Sequence, residues 1–277
     1  MTGLLLPAVY VLAGYPIGKR LFMEKQAVKR KALVFWAVLF GALLFRIILA
    51  LCITGFETDV NTFKAWGSIV RSQGLSNVYY DENLFLDYPP GYLYVLVALD
   101  WLRGVFGLAA GSTAYTLMIK VPSIVADLVT GWLLYRWAAP HRGEKAGLFC
   151  MAMYLFCPAI CLNSAVWGQV DGFCLLVGIW ALLLLLDEKY LLCGVVYGVA
   201  LLLKPQQIFL LPVFLFFVVK KRNLKGLGLG FLGAMGALLL LAFPFVRGLD
   251  YGTLLAQYIE TVNYYAYYTV NAFNLYG

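Results

Sequence analysis

Apolar residues along this chain come in long unbroken runs rather than in amphipathic stripes. The runs occupy about 3–22, 32–54, 114–138, 146–166, 172–187, 190–203, 207–219 and 227–246, and a helix needs roughly 20 such residues to span a hydrocarbon core. A transmembrane barrel would show roughly ten-residue alternating segments, and none stand out. The pattern predicts an all-α fold, a polytopic transmembrane helical bundle. The first run has no small-residue cleavage site after it, and its basic residues follow it, so it reads as a helix with an outside N-terminus rather than a signal peptide. The runs at 190–203 and 207–219 are short, with Lys204-Pro205-Gln206 between them. They predict a shallow hairpin whose polar tip lies in the outer half of the membrane, where irregular backbone persists only if buried in protein or lining a cavity.

Charge placement then orients the bundle. Lys19, Arg20, Lys25, Lys29, Arg30 and Lys31 follow the first run, Arg136, Arg142 and Lys145 the third, Lys189 the fifth, and Lys220, Lys221, Arg222 and Lys225 the seventh. Most of the 21 basic residues thus fall on one side, which the positive-inside rule makes the cytoplasm. Residues 88–106 are apolar enough to cross, but a crossing there would divide the basic loops almost evenly between the two sides. It would also embed Asp100 and Arg103, each costing about 2.5–3.5 kcal/mol at the bilayer centre. Residues 55–113 are therefore expected to form one long external loop within a single transmembrane domain, 1–277. Inside it, Phe63, Trp66 and Val70 mark one face of a short amphipathic helix over 61–71. Tyr88-Pro89-Pro90-Gly91 opens a second, since proline suits a first helical turn.

Composition removes several functional classes. The chain of 277 residues is 63% hydrophobic and 13% charged, against about a quarter charged in soluble domains. The net charge of +7 lies in loops beside apolar runs, which is an orientation signal and not a nucleic-acid footprint, so no nucleic-acid partner is expected. The cysteines, at 52, 150, 157, 161, 174 and 193, all sit in or at the ends of apolar runs, and none has zinc-ligand spacing with the lone His141. They read as small hydrophobes.

Acidic residues gather on the expected external side, including Glu57, Asp59, Asp81, Glu82, Asp87, Asp100, Asp171, Asp250 and Glu260. Asp59 sits just past the second run and is either a helix N-cap or a general base for an acceptor hydroxyl. Gln169 and Asp171, in Trp167-Gly168-Gln169-Val170-Asp171-Gly172, mark an outer turn. Lys204, flanked by leucines and a proline, either binds an anion or snorkels, and Arg46 raises the same question. Lys120 and Asp127, two turns apart on one helix, are expected to pair. The tyrosine- and asparagine-rich stretch from Tyr264 to Gly277 suits an aromatic belt or a sugar site. A transporter or lipid flippase would also keep Arg46, Lys120, Asp127 and Lys204 in the membrane; a structural membrane subunit is a third reading. No internal repeat is visible, and the notable residues gather at one face.

Together these motifs resemble the GT-C superfamily of polyprenyl-phosphate-sugar-dependent glycosyltransferases. Within it, the likeness is to bacterial membrane proteins related to the GPI mannosyltransferases and, more distantly, to the asparagine-linked-glycan glucosyltransferases. The resemblance runs from about Phe35 to the C-terminus. It rests on Asp59-Val60-Asn61-Thr62-Phe63-Lys64-Ala65-Trp66, Asp87-Tyr88-Pro89-Pro90-Gly91-Tyr92, Trp167-Gly168-Gln169-Val170-Asp171, Leu203-Lys204-Pro205-Gln206 and Asn271-Ala272-Phe273-Asn274-Leu275. It implies an inverting hexosyltransferase, of mannose or glucose, taking sugar from a polyprenyl-phosphate donor to a glycan, lipid or protein acceptor. Asp59 would be the catalytic base. Trp66, Asp87, Tyr88, Gln169, Asp171, Lys204, Gln206 and Asn271 would contact substrate. Glu57-Thr58-Asp59 departs from a strict Asp-x-Asp pattern, so the resemblance does not by itself imply a metal requirement; no cofactor is assigned, and a divalent cation is left open. Such enzymes usually continue through several more helices, so the chain is expected to be the N-terminal part of a longer protein. The expected location is a bacterial cytoplasmic membrane, in contact with its lipid, with the active site facing outward.

Overall fold

The computed structural model of the chain describes residues 28–264, and the elements among them are helices joined by turns. The run at 3–22 lies outside the described residues. In chain order the helices are α1 (Val28–Cys52), α2 (Glu57–Gln73), α3 (Pro90–Val105), α4 (Thr113–Arg142), α5 (Glu144–Leu155), α6 (Pro158–Cys161), α7 (Asp171–Leu186), α8 (Tyr190–Leu203), α9 (Leu211–Lys220), α10 (Leu224–Ala242) and α11 (Tyr251–Tyr264). A π-helical turn, Leu162–Trp167, continues α6, and a 3-10 turn, Pro205–Leu210, precedes α9.

Among the described residues three helices reach crossing length: residues 32–52 of α1, α4, and α10 with the turn after it. A fourth span arises if α5 and the α6–π segment, bent by 49° at Phe156-Cys157, count as one. The expected spans at 172–187, 190–203 and 207–219 appear as α7, α8 and α9, with 16, 14 and 10 residues. These are apolar but fall short of the roughly 20 residues a straight crossing takes. The expected helices of the 55–113 segment form as α2 and α3, and neither reaches crossing length.

Packing divides the chain into two compact units, one of residues up to Thr62 with Leu108–Leu176, the other of Phe63–Gly107 with residues from Val177 onward. In the first unit, Ala42 of α1 packs with Leu148, Met151 and Leu155 of α5, and Ala50 with Ile124 of α4 and Ala165. At its centre Arg46 and Asp127 are both 0% exposed and joined Nε to Oδ2 at 3.1 Å. The expected pairing of Asp127 with Lys120 does not form. Seven residues advance a helix by about 10 Å, whereas Arg46 comes across from the neighbouring helix.

In the second unit α8 and α10 touch backbone to backbone. A Cβ on Gly194 would stand 1.9 Å from the Gly230 carbonyl oxygen, and one on Gly233 2.3 Å from that of Leu191. Small residues are what let membrane helices approach this closely. Tyr197 of α8 packs at a tilt against Phe214 of α9 with ring centroids 4.6 Å apart, and its hydroxyl donates to the Gln207 carbonyl. A return to contact after 17 residues means the chain doubles back at Lys204-Pro205-Gln206. Beside them, α2 and α3 pack through Gly67, where a Cβ would meet the Leu96 carbonyl at 2.7 Å.

Candidate active site

The first unit builds its polar centre on the turn after α6. The π-helical turn ends at Gly168, whose φ of +83° suits glycine. The Asn163 carbonyl accepts from both the Gly168 and the Gln169 N–H groups at 3.0 Å. A π-turn spaces side chains differently from an α-turn, and such bulges recur at functional sites. Here the turn sends Trp167 and Gln169 toward one point.

That point is Asp59. Its Oδ2 accepts from Trp167 Nε1 at 2.8 Å and from Gln169 Nε2. Asp59 lies in the first turn of α2 and not at its cap, so the capping alternative is replaced by two side-chain donors from a distant segment. No described residue donates to the other carboxylate oxygen. Gly55 makes the approach feasible, because a Cβ there would lie 2.0 Å from the Val166 carbonyl oxygen. Asp171 opens α7 beside the same turn, and its Oδ2 accepts from Asn163 Nδ2 at 2.8 Å. A carboxylate in a first turn is also favoured by the helix dipole.

The other predicted residues belong to the second unit. Trp66 is 3% exposed, with its indole N–H donating to the Phe85 carbonyl at 2.7 Å. Its ring packs with Phe63 and Tyr88, so the structure places it in the core of that unit. Tyr88 is half-buried, and its carbonyl accepts from the Tyr79 hydroxyl at 2.8 Å. Asp87, with Tyr79, Tyr80, Asp81, Thr253 and Gln257, lines a cavity of about 710 Å³. In its wall the Gln73 side-chain amide, then the Asn83 backbone N–H, hold the Asp81 carboxyl below the usual carboxylate range. Lys204 is half-buried in extended backbone and Gln206 is exposed. Asn271 lies outside the described residues. Among the described residues no three His, Cys, Asp or Glu side chains group closely enough to hold a metal ion.

Sequence reasoning missed Trp167 as a partner of Asp59. An exposed tryptophan at a turn between apolar runs carries the same signature as an interfacial belt residue, and only the separation of 108 residues closed by folding distinguishes the two.

Residues 93–246, more than half of the chain, match the family described as dolichyl-phosphate-mannose-protein mannosyltransferase. The chain belongs to this family. No curated protein matches it. The resemblance to GT-C enzymes therefore holds: the mannosyltransferase is a multi-pass membrane glycosyltransferase, and the transporter and flippase readings fall away. Arg46, which had supported them, is neutralised inside the fold by Asp127. The matched segment of the mannosyltransferase contains Gln169, Asp171, Lys204 and Gln206, whereas Asp59, Trp66, Asp87 and Tyr88 precede it. Family membership implies a dolichyl- or polyprenyl-phosphate-mannose donor and leaves the acceptor unspecified.

Proposed function

We propose that this mannosyltransferase moves a mannosyl group from a polyprenyl-phosphate donor to an acceptor hydroxyl at the outer membrane face, with Asp59 as general base. The observation that carries the reading is the carboxylate of Asp59, gripped on Oδ2 by Trp167 and Gln169 with Oδ1 left to meet a hydroxyl. A base must be held within hydrogen-bond reach of the proton it takes, and two donors on one oxygen fix the direction of the other. The acceptor oxygen attacks the anomeric carbon as its proton passes to Asp59. The bond from that carbon to phosphate breaks, and the electron pair leaves on polyprenyl phosphate. Phosphate is a good leaving group and calls for cationic or hydrogen-bonding stabilisation more than protonation; Lys204 and Gln206 are assigned that part.

Asp59→Asn tests the base. The amide oxygen of asparagine still accepts from Trp167 and Gln169, so the fold is kept and only the proton acceptor is lost. The expected result is loss of transfer by at least about a hundredfold, the lower bound of the usual range for general-base catalysis, with unchanged thermal unfolding. Near-normal transfer by the folded variant would remove Asp59 from this role.

A further inference from the structure

Three buried polar residues lie on one face of α4, at spacings of three and four: Lys120 at 3% exposure, Ser123 at 1% and Asp127 at 0%. Polar side chains inside a helix of membrane-crossing length are costly and mark function by default. All three hold the same short turn. Lys120 Nζ donates to the Val166 carbonyl at 2.9 Å, Ser123 Oγ donates to the Gln169 carbonyl at 2.7 Å, and Asp127 Oδ2 accepts from Ser164 Oγ at 2.6 Å. The carbonyls chosen are telling. One belongs to Gln169 itself and the other to the residue before Trp167, and these two side chains are the donors to Asp59. Rotation of either peptide would swing its donor away from the carboxylate.

We infer that Lys120 and Ser123 are positioning residues for the catalytic carboxylate, acting through the Val166 and Gln169 carbonyls to aim Trp167 and Gln169 at Asp59. The inference rests on the reading of Asp59 as base. The face of α4 forms a rigid rail, and the turn is pinned to it at three places while its side chains point to the reacting centre. Misplacement of about 1 Å at a catalytic group costs up to about a hundredfold in rate.

The test uses the purified full-length enzyme with polyprenyl-phosphate-mannose as donor. Ser123→Ala is expected to lower kcat by about ten- to a hundredfold, counted per folded molecule, while donor and acceptor KM stay within twofold. Ser123→Thr, which keeps the hydroxyl, restores most of the rate. In a Gln169→Ala background, Ser123→Ala produces no further loss, because the group it aims is gone. Simple helix–helix adhesion predicts the opposite: a lower unfolding temperature, an unchanged kcat per folded molecule, and independent multiplication of the two substitutions. Either an unchanged kcat or that multiplication overturns the inference. Ser123→Cys, of similar volume and with only a weak S–H donor, and Lys120→Met carry the same measurement if Ser123→Ala does not fold. An active Asp59→Asn enzyme would instead strike at the base assignment, so the two failures are separable.

Discussion

Asp127 and Asp100 are both buried carboxylates that face arginine, and the chain holds them in different ways. Asp127 sits at 0% exposure among apolar helices of the first unit, with one arginine, Arg46, that is equally buried. Hydroxyls of Ser164, at 2.6 Å, and Tyr154, at 3.4 Å, complete its shell. Asp100 sits on α3 in the second unit at 2% exposure, but its two arginines reach outward. Arg103 Nε meets Oδ1 at 2.7 Å and Arg71 Nη1 meets Oδ2 at 3.0 Å, with arginine side chains 24% and 43% exposed. The first pair has given up all its water; the second keeps part of it. Taking charges out of water costs several kcal/mol per ion, so losing one member of a fully buried pair leaves a charge with nothing to replace it. A partly hydrated cluster has solvent to fall back on.

Arg46→Met is therefore expected to be the most damaging of these changes. It strands the Asp127 carboxylate and should cost about 3–5 kcal/mol, read as a large fall in unfolding temperature in detergent. Arg46 also donates through Nη1 to the Leu155 carbonyl at 2.8 Å, and that carbonyl loses this donor too. Arg46→Met with Asp127→Leu removes both charges and should recover much of the loss, because apolar packing can replace a buried pair. If the double variant is no more stable than the single one, the loss lies in Arg46's carbonyl contacts rather than in the stranded charge. Asp127→Leu also removes the acceptor of Ser164 Oγ, one of the three contacts that pin the turn to α4, so the recovered protein should still be slow in transfer.

Much of this was legible in the chain before folding, and the limit was distance. Apolar runs gave the helices, and the position of Asp59 after the second run, with Gln169 in a polar turn, gave two members of the centre. The pairing of Arg46 with Asp127 bridges 81 residues, and no local rule points to it. Helical spacing suggested Lys120 instead, because spacing along one helix is all a sequence displays. The π-turn at Leu162–Trp167 has no composition of its own; Asn163 and Gly168 look like ordinary turn residues. The short lengths of α8 and α9, by contrast, were already legible in the runs at 190–203 and 207–219.

Asp100→Asn sharpens the comparison at a smaller scale. Burial by itself would push the Asp100 carboxyl up, but Arg103 and Arg71 hydrogen-bond to its charged form and hold it below the usual carboxylate range. A carboxyl lowered in the folded state adds stability above its unfolded value, about pH 4, and that contribution disappears as pH falls through the lowered folded value. The variant should lose about 1–2 kcal/mol at pH 7, of the order of a charge-assisted hydrogen bond. The gap between wild type and variant should close below about pH 4. A gap that persists unchanged at pH 3 would assign the effect to packing and not to charge.

Arg71→Gln is expected to have the smallest effect, and it probes why Asp100 tolerates loss. Arg71 lies near the end of α2 with 43% of its side chain in solvent. Exposed ion pairs contribute about 0–1 kcal/mol, since salt and water screen them and side-chain entropy opposes them. Arg71 Nη1 also donates to the Asp100 carbonyl at 3.2 Å, and its guanidinium lies within 3.3 Å of where a Cβ on Gly104 would stand. Glutamine keeps a donor for one of these acceptors and leaves Arg103 on the carboxylate. A loss under about 1 kcal/mol, shrinking further in 0.5 M salt, is the expected result. If Arg71→Gln instead matched Arg46→Met, solvent exposure of the partner would not be what separates the two aspartates. The bond each guanidinium makes to a backbone carbonyl would then be the controlling feature, because Arg46 and Arg71 both reach a carbonyl as well as a carboxylate.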